Sequence, residues 1–307
     1  MIGIRRSIKP LPTISKSLLT KPCIHPILIR SYATTPTDNE TPEPKKKKKQ
    51  LNIAQVPISY IGVMSDLYVS PKLTKYSPLK WPKLVLRRIM VFAFNTYNVI
   101  KFKREIGQPL NFNKWKDQSI ENYIKTNKIF AQSCNKASSL SNNKSKELSK
   151  FVNLKLDQCC GKHLIEVLIK RSENFNYPNG KINWELKSID SNPKITMFNV
   201  IPDQDGIGCY VQYIMNLRTT QVVTITNKST NEIIQENETK VDDYLVYTMN
   251  PFNDKILLVG KLFESNSERG LKPDLDVFNP SEMQKFVLKA ADIYREDPNN
   301  LKINKTD

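Results

Sequence analysis

Between Pro82 and Arg104, apolar and polar positions recur at the 3.6-residue spacing of an α-helix, with Pro82 in its first turn, Gly107 past its end and Pro109 barring continuation. Projected at 100° per residue, Arg87, Arg88, Asn95 and Asn98 make a narrow polar stripe. Val85, Ile89, Met90, Phe92, Ala93, Tyr97 and Ile100 fill a wide apolar arc. An arc of that width calls for a large apolar partner, and the expected one is the domain's own sheet, ahead of a membrane. A second helix is predicted from near Asn113 to Gln132, with Ile120, Tyr123, Ile124, Asn127 and Ala131 along one side. The Ser/Asn/Lys-rich stretch 133–146 reads as a linker, and Phe151, Leu154, Cys159, Ile165 and Leu168 predict a third helix ending near Glu173.

The period then changes. Ile182, Trp184 and Leu186 alternate with polar neighbours, and Ile207, Cys209, Val211, Tyr213, Met215 and Leu217 alternate over eleven residues, which is strand spacing. Further strands are predicted at Ile195 to Ile201, Gln221 to Asn227, Tyr244 to Met249 and Ile256 to Phe263, with Asn179-Gly180 and Asn250-Pro251 as turn signals. A last helix is expected to start at Ser281, capped by that hydroxyl with Gln284 reaching back, and to turn Phe286, Ala290 and Ile293 inward. Helices followed by antiparallel strands predict an α+β fold, in which N-terminal helices lie across a twisted sheet and a C-terminal helix lies beside it.

Charge adds a direction to this pattern. Residues 1–32 hold Arg5, Arg6, Lys9, Lys16, Lys21 and Arg30 and no carboxylate, the polarity of a mitochondrial import segment drawn inward by a negative-inside potential. Arg30-Ser31-Tyr32-Ala33 resembles the pattern cut by the matrix processing peptidase, which places cleavage between Tyr32 and Ala33. Losing those six cations lowers the formal charge from +17 to +11. What remains is uneven: residues 67–116 carry +10, residues 117–175 carry +4 and residues 176–307 carry −4. The amino-terminal half therefore suits an anionic partner, phosphate on RNA or on lipid headgroups. The expected contacts are Lys45, Lys46, Lys47, Lys48 and Lys49 of a disordered arm over 33–55, and Lys80, Lys83, Arg87, Arg88, Lys101, Lys103 and Arg104 at the ends of the first helix. Residues 56–307 are expected to form one domain. The stretch from Ile89 to Ile100 spans about 18 Å as a helix, short of a roughly 30 Å bilayer core, so no transmembrane helix is predicted.

The inventory of reactive side chains is thin. After cleavage the histidine that remains is His163, isolated on a helical pattern, and no glycine-rich phosphate loop is present among nine glycines. Cys134, Cys159, Cys160 and Cys209 lack metal-ligand spacing, so reduced thiols and no metal are expected. Asp203/Asp205 and Asp242-Asp243 are read as turn residues rather than acid/base pairs. An enzyme is not expected, nor is a cofactor.

Three segments in order, Trp115-Lys116-Asp117-Gln118-Ser119-Ile120-Glu121-Asn122-Tyr123-Ile124, Arg218-Thr219-Thr220-Gln221 and Leu262-Phe263-Glu264-Ser265, followed by Ala290-Ala291-Asp292-Ile293-Tyr294-Arg295, resemble the fungal matrix-side mitoribosome receptors. That family is similar to the exit-tunnel protein of the metazoan mitoribosomal large subunit and to the carboxy-terminal domain of the import-motor scaffold. The resemblance implies a cone-like, nuclear-transport-factor-like domain with helices across a curved sheet. It implies a peripheral protein on the matrix face of the inner membrane. Its partners would be the mitoribosomal large subunit near the tunnel exit, an Oxa-type insertase, anionic inner-membrane lipid and nascent membrane proteins. A permanent structural subunit of the large particle is the alternative, and a small-ligand binder a more distant one.

Overall fold

In the computed structural model, which describes residues 53–140, 144–175, 179–273, 275–276 and 279–298, four helices precede the sheet: α1 (Trp81–Glu105), α2 (Phe112–Ala137), α3 (Lys144–Leu156) and α4 (Lys162–Asn174). The strands are β1 (Gly180–Ile189), β2 (Lys194–Pro202), β3 (Gly208–Asn227), β4 (Ile233–Asn250) and β5 (Lys255–Leu262), and α5 (Pro280–Ala291) follows. The architecture is α+β, as the order of periodicities predicts.

The sheet is antiparallel, ordered β1-β3-β4-β5, with β2 also on β3. The length of β3 makes this possible. Its first half pairs with β2 and its second half with β1, so those two lie end to end along one side of it. Along the other side β4 follows β3 from Val211↔Met249 to Thr226↔Ile233, and β5 joins β4 from Tyr244 to Asn250. The two separate strands expected over 207–217 and 221–227 are thus one. Polar Arg218-Thr219-Thr220 looks like a break in sequence but is satisfied within the sheet: Thr220 Oγ1 donates to the Asp190 carboxylate at 3.0 Å, and Gln221 Nε2 donates to Thr219 Oγ1 at 2.8 Å. Asp242 and Asp243, expected at a turn, lie inside β4 opposite Arg218 and Leu217. Asp203 does hold a turn, accepting from the amides of Asp205 and Ile207.

Both faces of the sheet are covered except at the far end of the β3–β4 hairpin, where residues 233–240 are exposed. On one, Trp115 of α2 stacks on Phe198 of β2 with centroids 6.2 Å apart, and Phe102 and Phe112 meet the pair edge-on. Edge-to-face and offset packing suits the ring quadrupoles. Buried Tyr213 and Tyr247 keep their hydroxyls paired, the first with Ser119 Oγ at 2.7 Å and the second with the Ser119 carbonyl at 2.9 Å. On the other face Ile214, Val246, Leu257 and Val259 form a second core with Ile58, Ile61, Val63 and Leu67 from the segment before α1. Gln212 ties that segment down, accepting from the Met64 amide and donating to the Gly62 carbonyl. Ile53–Gln55 is a 3-10 turn whose Ile53 packs against this core.

The helical boundaries depart from expectation in three places. α2 runs on to Ala137, because Ser133, Cys134 and Ala137 are buried and Ser133 Oγ pairs with Ser172 Oγ; the predicted linker shrinks to the residues before Lys144. The single helix expected up to Glu173 is broken between α3 and α4. There the Leu258 amide donates to the Cys159 carbonyl and the Gly161 amide to the Leu258 carbonyl, both at 2.8 Å, so this backbone pairs with β5 instead of continuing a helix. The cap of α5 is Asn279, whose side chain accepts from the amides of Ser281 and Glu282, and Pro280 takes the first turn.

Candidate functional site

The surface with most apolar character belongs to α1, and its orientation is the reverse of the one its pattern predicts. Arg87, Asn95 and Asn98 of the polar stripe face inward, while Arg88 stays exposed. Asn95 Nδ2 donates to the Thr196 carbonyl and Asn95 Oδ1 accepts from the Phe198 amide, each at 3.0 Å. Asn98 Oδ1 accepts from the Val200 amide at 3.0 Å. These are groups that β2, as an edge strand, leaves unpaired, and carboxamides on a covering helix can satisfy them. Arg87 is buried, its guanidinium donating to the carbonyls of Ser267 at 2.6 Å and Glu268 at 3.3 Å. Leu84, Val91 and Phe102 complete the inward side, which covers an arc of roughly 80° at 100° per residue.

The apolar arc faces outward. Phe92 is 72% exposed, Tyr97 61%, Ile89 58% and Ile100 57%, with Val85 and Met90 also exposed. The strip is longer and wider than the sequence reading: Leu86 and Phe94 lie on it, and Leu79 and Trp81 extend it past the helix start. The same projection that found the arc would have included Leu86 and Phe94. α1 does pack on the domain's own sheet as expected, but through its polar side and against an edge rather than a face, which is why the apolar side is left over. Among the described residues no helix is long and apolar enough to cross a membrane.

Cations bracket this strip. Lys80 and Lys83 are exposed at the N-terminal end and Lys103 at the C-terminal end, and none has an ionic partner among the described residues. Arg88 donates to the Pro71 carbonyl at 2.8 Å, so it braces the lead-in segment. Lys101 and Arg104 share Glu105, at 3.8 and 3.5 Å, and Glu105 also accepts from the Gly208 amide at 3.1 Å. Of the seven cations expected on this helix, Arg87 is therefore committed to the interior, where main-chain carbonyls satisfy it. Lys45 to Lys49 and the Tyr32/Ala33 junction lie outside the described residues. Glu105 is the sole carboxylate of α1, so the strip and its ends form an apolar surface with a positive border. Such a surface fits an interface between hydrocarbon and anionic headgroups.

Reactive groups elsewhere are structural. Cys160 is buried with Sγ 3.1 Å from Thr126 Oγ1, and burial pushes its thiol up. His163 is half-buried on α4, with Nδ1 4.0 Å from Glu166 Oε2. The described residues contain no group of three His, Cys, Asp or Glu side chains placed to hold a metal ion.

Two comparisons with known proteins bear on this arrangement. The sequence profile described as MBA1-like protein matches residues 46–299. The chain is also 24% identical over 267 residues, 85% of its length and 87% of the relative's, to the inner membrane mitoribosome receptor MBA1, mitochondrial, of Saccharomyces cerevisiae.

Proposed function

Because the chain belongs to the MBA1-like protein family, we propose that it is a peripheral receptor on the matrix face of the mitochondrial inner membrane that holds the mitoribosomal large subunit there. The yeast relative's name supports both halves of this reading, ribosome and membrane. The observation that carries the membrane half is the outward apolar strip of α1 with its cationic ends. Each large side chain withdrawn from water contributes about 1.5–3 kcal/mol when fully buried, and each Lys or Arg near an anionic leaflet about 1 kcal/mol. A strip of this size needs no spanning segment to hold a domain at a lipid surface.

The ribosome half rests on the remaining cations. Lys45 to Lys49, with Lys80, Lys83 and Lys103, are proposed to meet rRNA or headgroup phosphate, and Arg87, Arg88, Lys101 and Arg104 to set the shape of that surface. Residues 1–32 are proposed as a cleaved presequence and the residues from 33 up to the Ile53–Gln55 turn as a basic arm ahead of one domain, since Ile53 already packs on the second core. Holding the tunnel exit close to an Oxa-type insertase would raise the local concentration of nascent membrane segments at their point of entry. The role is positional and makes or breaks no bond.

Extraction of mitochondrial membranes by salt and by carbonate, with ribosomes present or removed, tests the two contacts separately. The wild-type chain stays with ribosome-free membranes at moderate salt, and the Ile89→Glu/Phe92→Glu variant moves to the soluble fraction. Equal retention of the two would defeat the membrane half.

A further inference from the structure

We infer that the cleft between α1, the start of α2 and the start of β2 binds an anionic phospholipid, its phosphate held by Lys116 and Lys194 and its glycerol and first acyl carbons on an apolar floor. The inference rests on the membrane-facing reading of α1 and names the lipid class and the residues that hold it. The cleft has a volume of about 470 Å³. Taking ~30 Å³ for a water-sized group, it holds on the order of fifteen such groups, enough for a glycerophosphate and the beginning of a chain. Half-buried Val99, Phe112 and Ile195 and buried Phe198 form its floor. On α1, Val99 projects about 20° from Phe92 at 100° per residue, so the floor adjoins the edge of the outward strip.

The lining carries two cations and no carboxylate. Lys116 is half-buried and Lys194 exposed, and neither ammonium has a hydrogen bond or an ionic partner among the described residues. Lys114, by contrast, is paired with Asp254 at 2.7 Å. The acidic residues nearest in sequence do not serve. Asp190 accepts from the hydroxyls of Ser188 and Thr220, and exposed Asp117 projects about 100° round α2 from Lys116. Asn95, which also lines the cleft, is already paired with β2. An ammonium drawn partly out of water without a counter-charge is costly, and a phosphate oxygen offsets that cost with a charge-assisted hydrogen bond. RNA phosphate would meet the two ammoniums and leave the apolar floor in water. A phospholipid brings the charge and the hydrocarbon in one molecule, beside a strip already assigned to the bilayer surface.

Titration calorimetry of the full mature chain with dihexanoyl phosphatidylglycerol, kept below its micelle concentration, tests this. The expected result is saturable binding, several-fold tighter than that of dihexanoyl phosphatidylcholine and of glycerophosphoglycerol, which keeps the phosphate and lacks the acyl chains. Lys116→Gln/Lys194→Gln weakens it by more than about tenfold. Lys125→Gln/Lys128→Gln, which removes the same charge from the exposed side of α2, leaves it as in wild type. Equal binding of the choline lipid, or of the deacylated headgroup, overturns the inference, and so does a Lys116/Lys194 variant that titrates like wild type. If that variant keeps the lipid and loses co-sedimentation with ribosomes, the two lysines meet RNA and the inference falls. The short-chain lipid is free in solution, so its titration does not depend on α1 lying on a bilayer. Binding as expected, together with equal membrane retention of wild type and Ile89→Glu/Phe92→Glu, upholds the cleft and defeats the reading of α1 alone.

Discussion

Asn95 and Phe198 stand in the relation of two paired strand residues although only Phe198 is in a strand. The Asn95 side chain accepts from the Phe198 amide and donates to the Thr196 carbonyl, both at 3.0 Å, so one carboxamide does for β2 what a neighbouring backbone would do. With Asn98 on the Val200 amide, α1 seals the edge of the sheet without using its apolar side. The contacts that build the fold and the exposed apolar arc are therefore on opposite sides of one helix.

Asn95→Leu should destabilise the domain, because it leaves two main-chain groups of β2 unpaired at about 1–3 kcal/mol for each one that water cannot reach. Phe92→Ser, on the outward side, should stay within about 0.5 kcal/mol of wild type. Urea denaturation followed by circular dichroism checks the pair, and a stability loss at Phe92 matching that at Asn95 would contradict the assignment of the two sides.

Gly260→Ala should destabilise by upward of 2 kcal/mol. A Cβ at this position would collide with the Ala290 carbonyl oxygen and come within 2.8 Å of Val63 Cγ2, and the carbonyl belongs to backbone at the end of α5 that cannot turn aside. Thermal melting reads the effect, and a melting temperature unchanged from wild type would mean that α5 is not seated on β5.

If the lysine run reaches phosphate, replacing Lys45 to Lys49 by Ser should weaken ribosome binding and flatten its salt dependence. By counterion release, five phosphate contacts contribute about 3.5–4.5 to the slope of log K against log salt. Co-sedimentation over a salt series measures it, and an unchanged slope would remove the arm from the interface.

Lys72 links acid stability to the segment before α1. Burial alone would raise the Asp242 carboxyl, but hydrogen bonds from Lys72 and Asn216 and the charges of Lys72 and Arg218 outweigh it and hold it below its ordinary value. Glu264 is likewise lowered against burial by Lys75 and Lys72, with Lys75 at 3.0 Å and Lys72 at 3.3 Å. A depressed carboxylate contributes stability above its unfolded pKa and loses it as pH falls through the lower folded value. These two groups should thus leave stability flat down to about pH 5 and erode it below about pH 4. Lys72→Met should shrink that acid-side fall and cost no more than about 1 kcal/mol at neutral pH, since the pair is partly exposed. Urea midpoints at several pH values decide it.

The elements with strict periodicity were legible in the sequence. α1, β2 and β5 lie within a residue or two of their predicted bounds, and β1 contains the predicted Ile182–Leu186 and extends beyond it at both ends, because alternation or helical spacing there reports local burial. What escaped was set by distant partners. The break between α3 and α4 depends on Leu258 drawing the backbone of Cys159 and Gly161 into the sheet, and nothing near residue 160 in sequence announces it. The continuity of β3 depends on Asp190 and Gln221 satisfying threonines that look like turn residues. The facing of α1 has a related cause. A wide apolar arc predicts packing on the sheet through that arc, whereas the neighbour is a sheet edge, whose unpaired amides and carbonyls attract asparagine instead. The cationic ends were readable as composition, but the inward turn of Arg87 required knowing where the carbonyls of Ser267 and Glu268 lie.

The reach of β3 also shapes how the molecule comes apart. Every other strand is joined to it directly or, for β5, through β4, and its pairing with β1 and β2 leaves no seam between the two ends of the sheet. Melting should then proceed as one event, with amide protons on both ends of β3 exchanging at a common, slow rate.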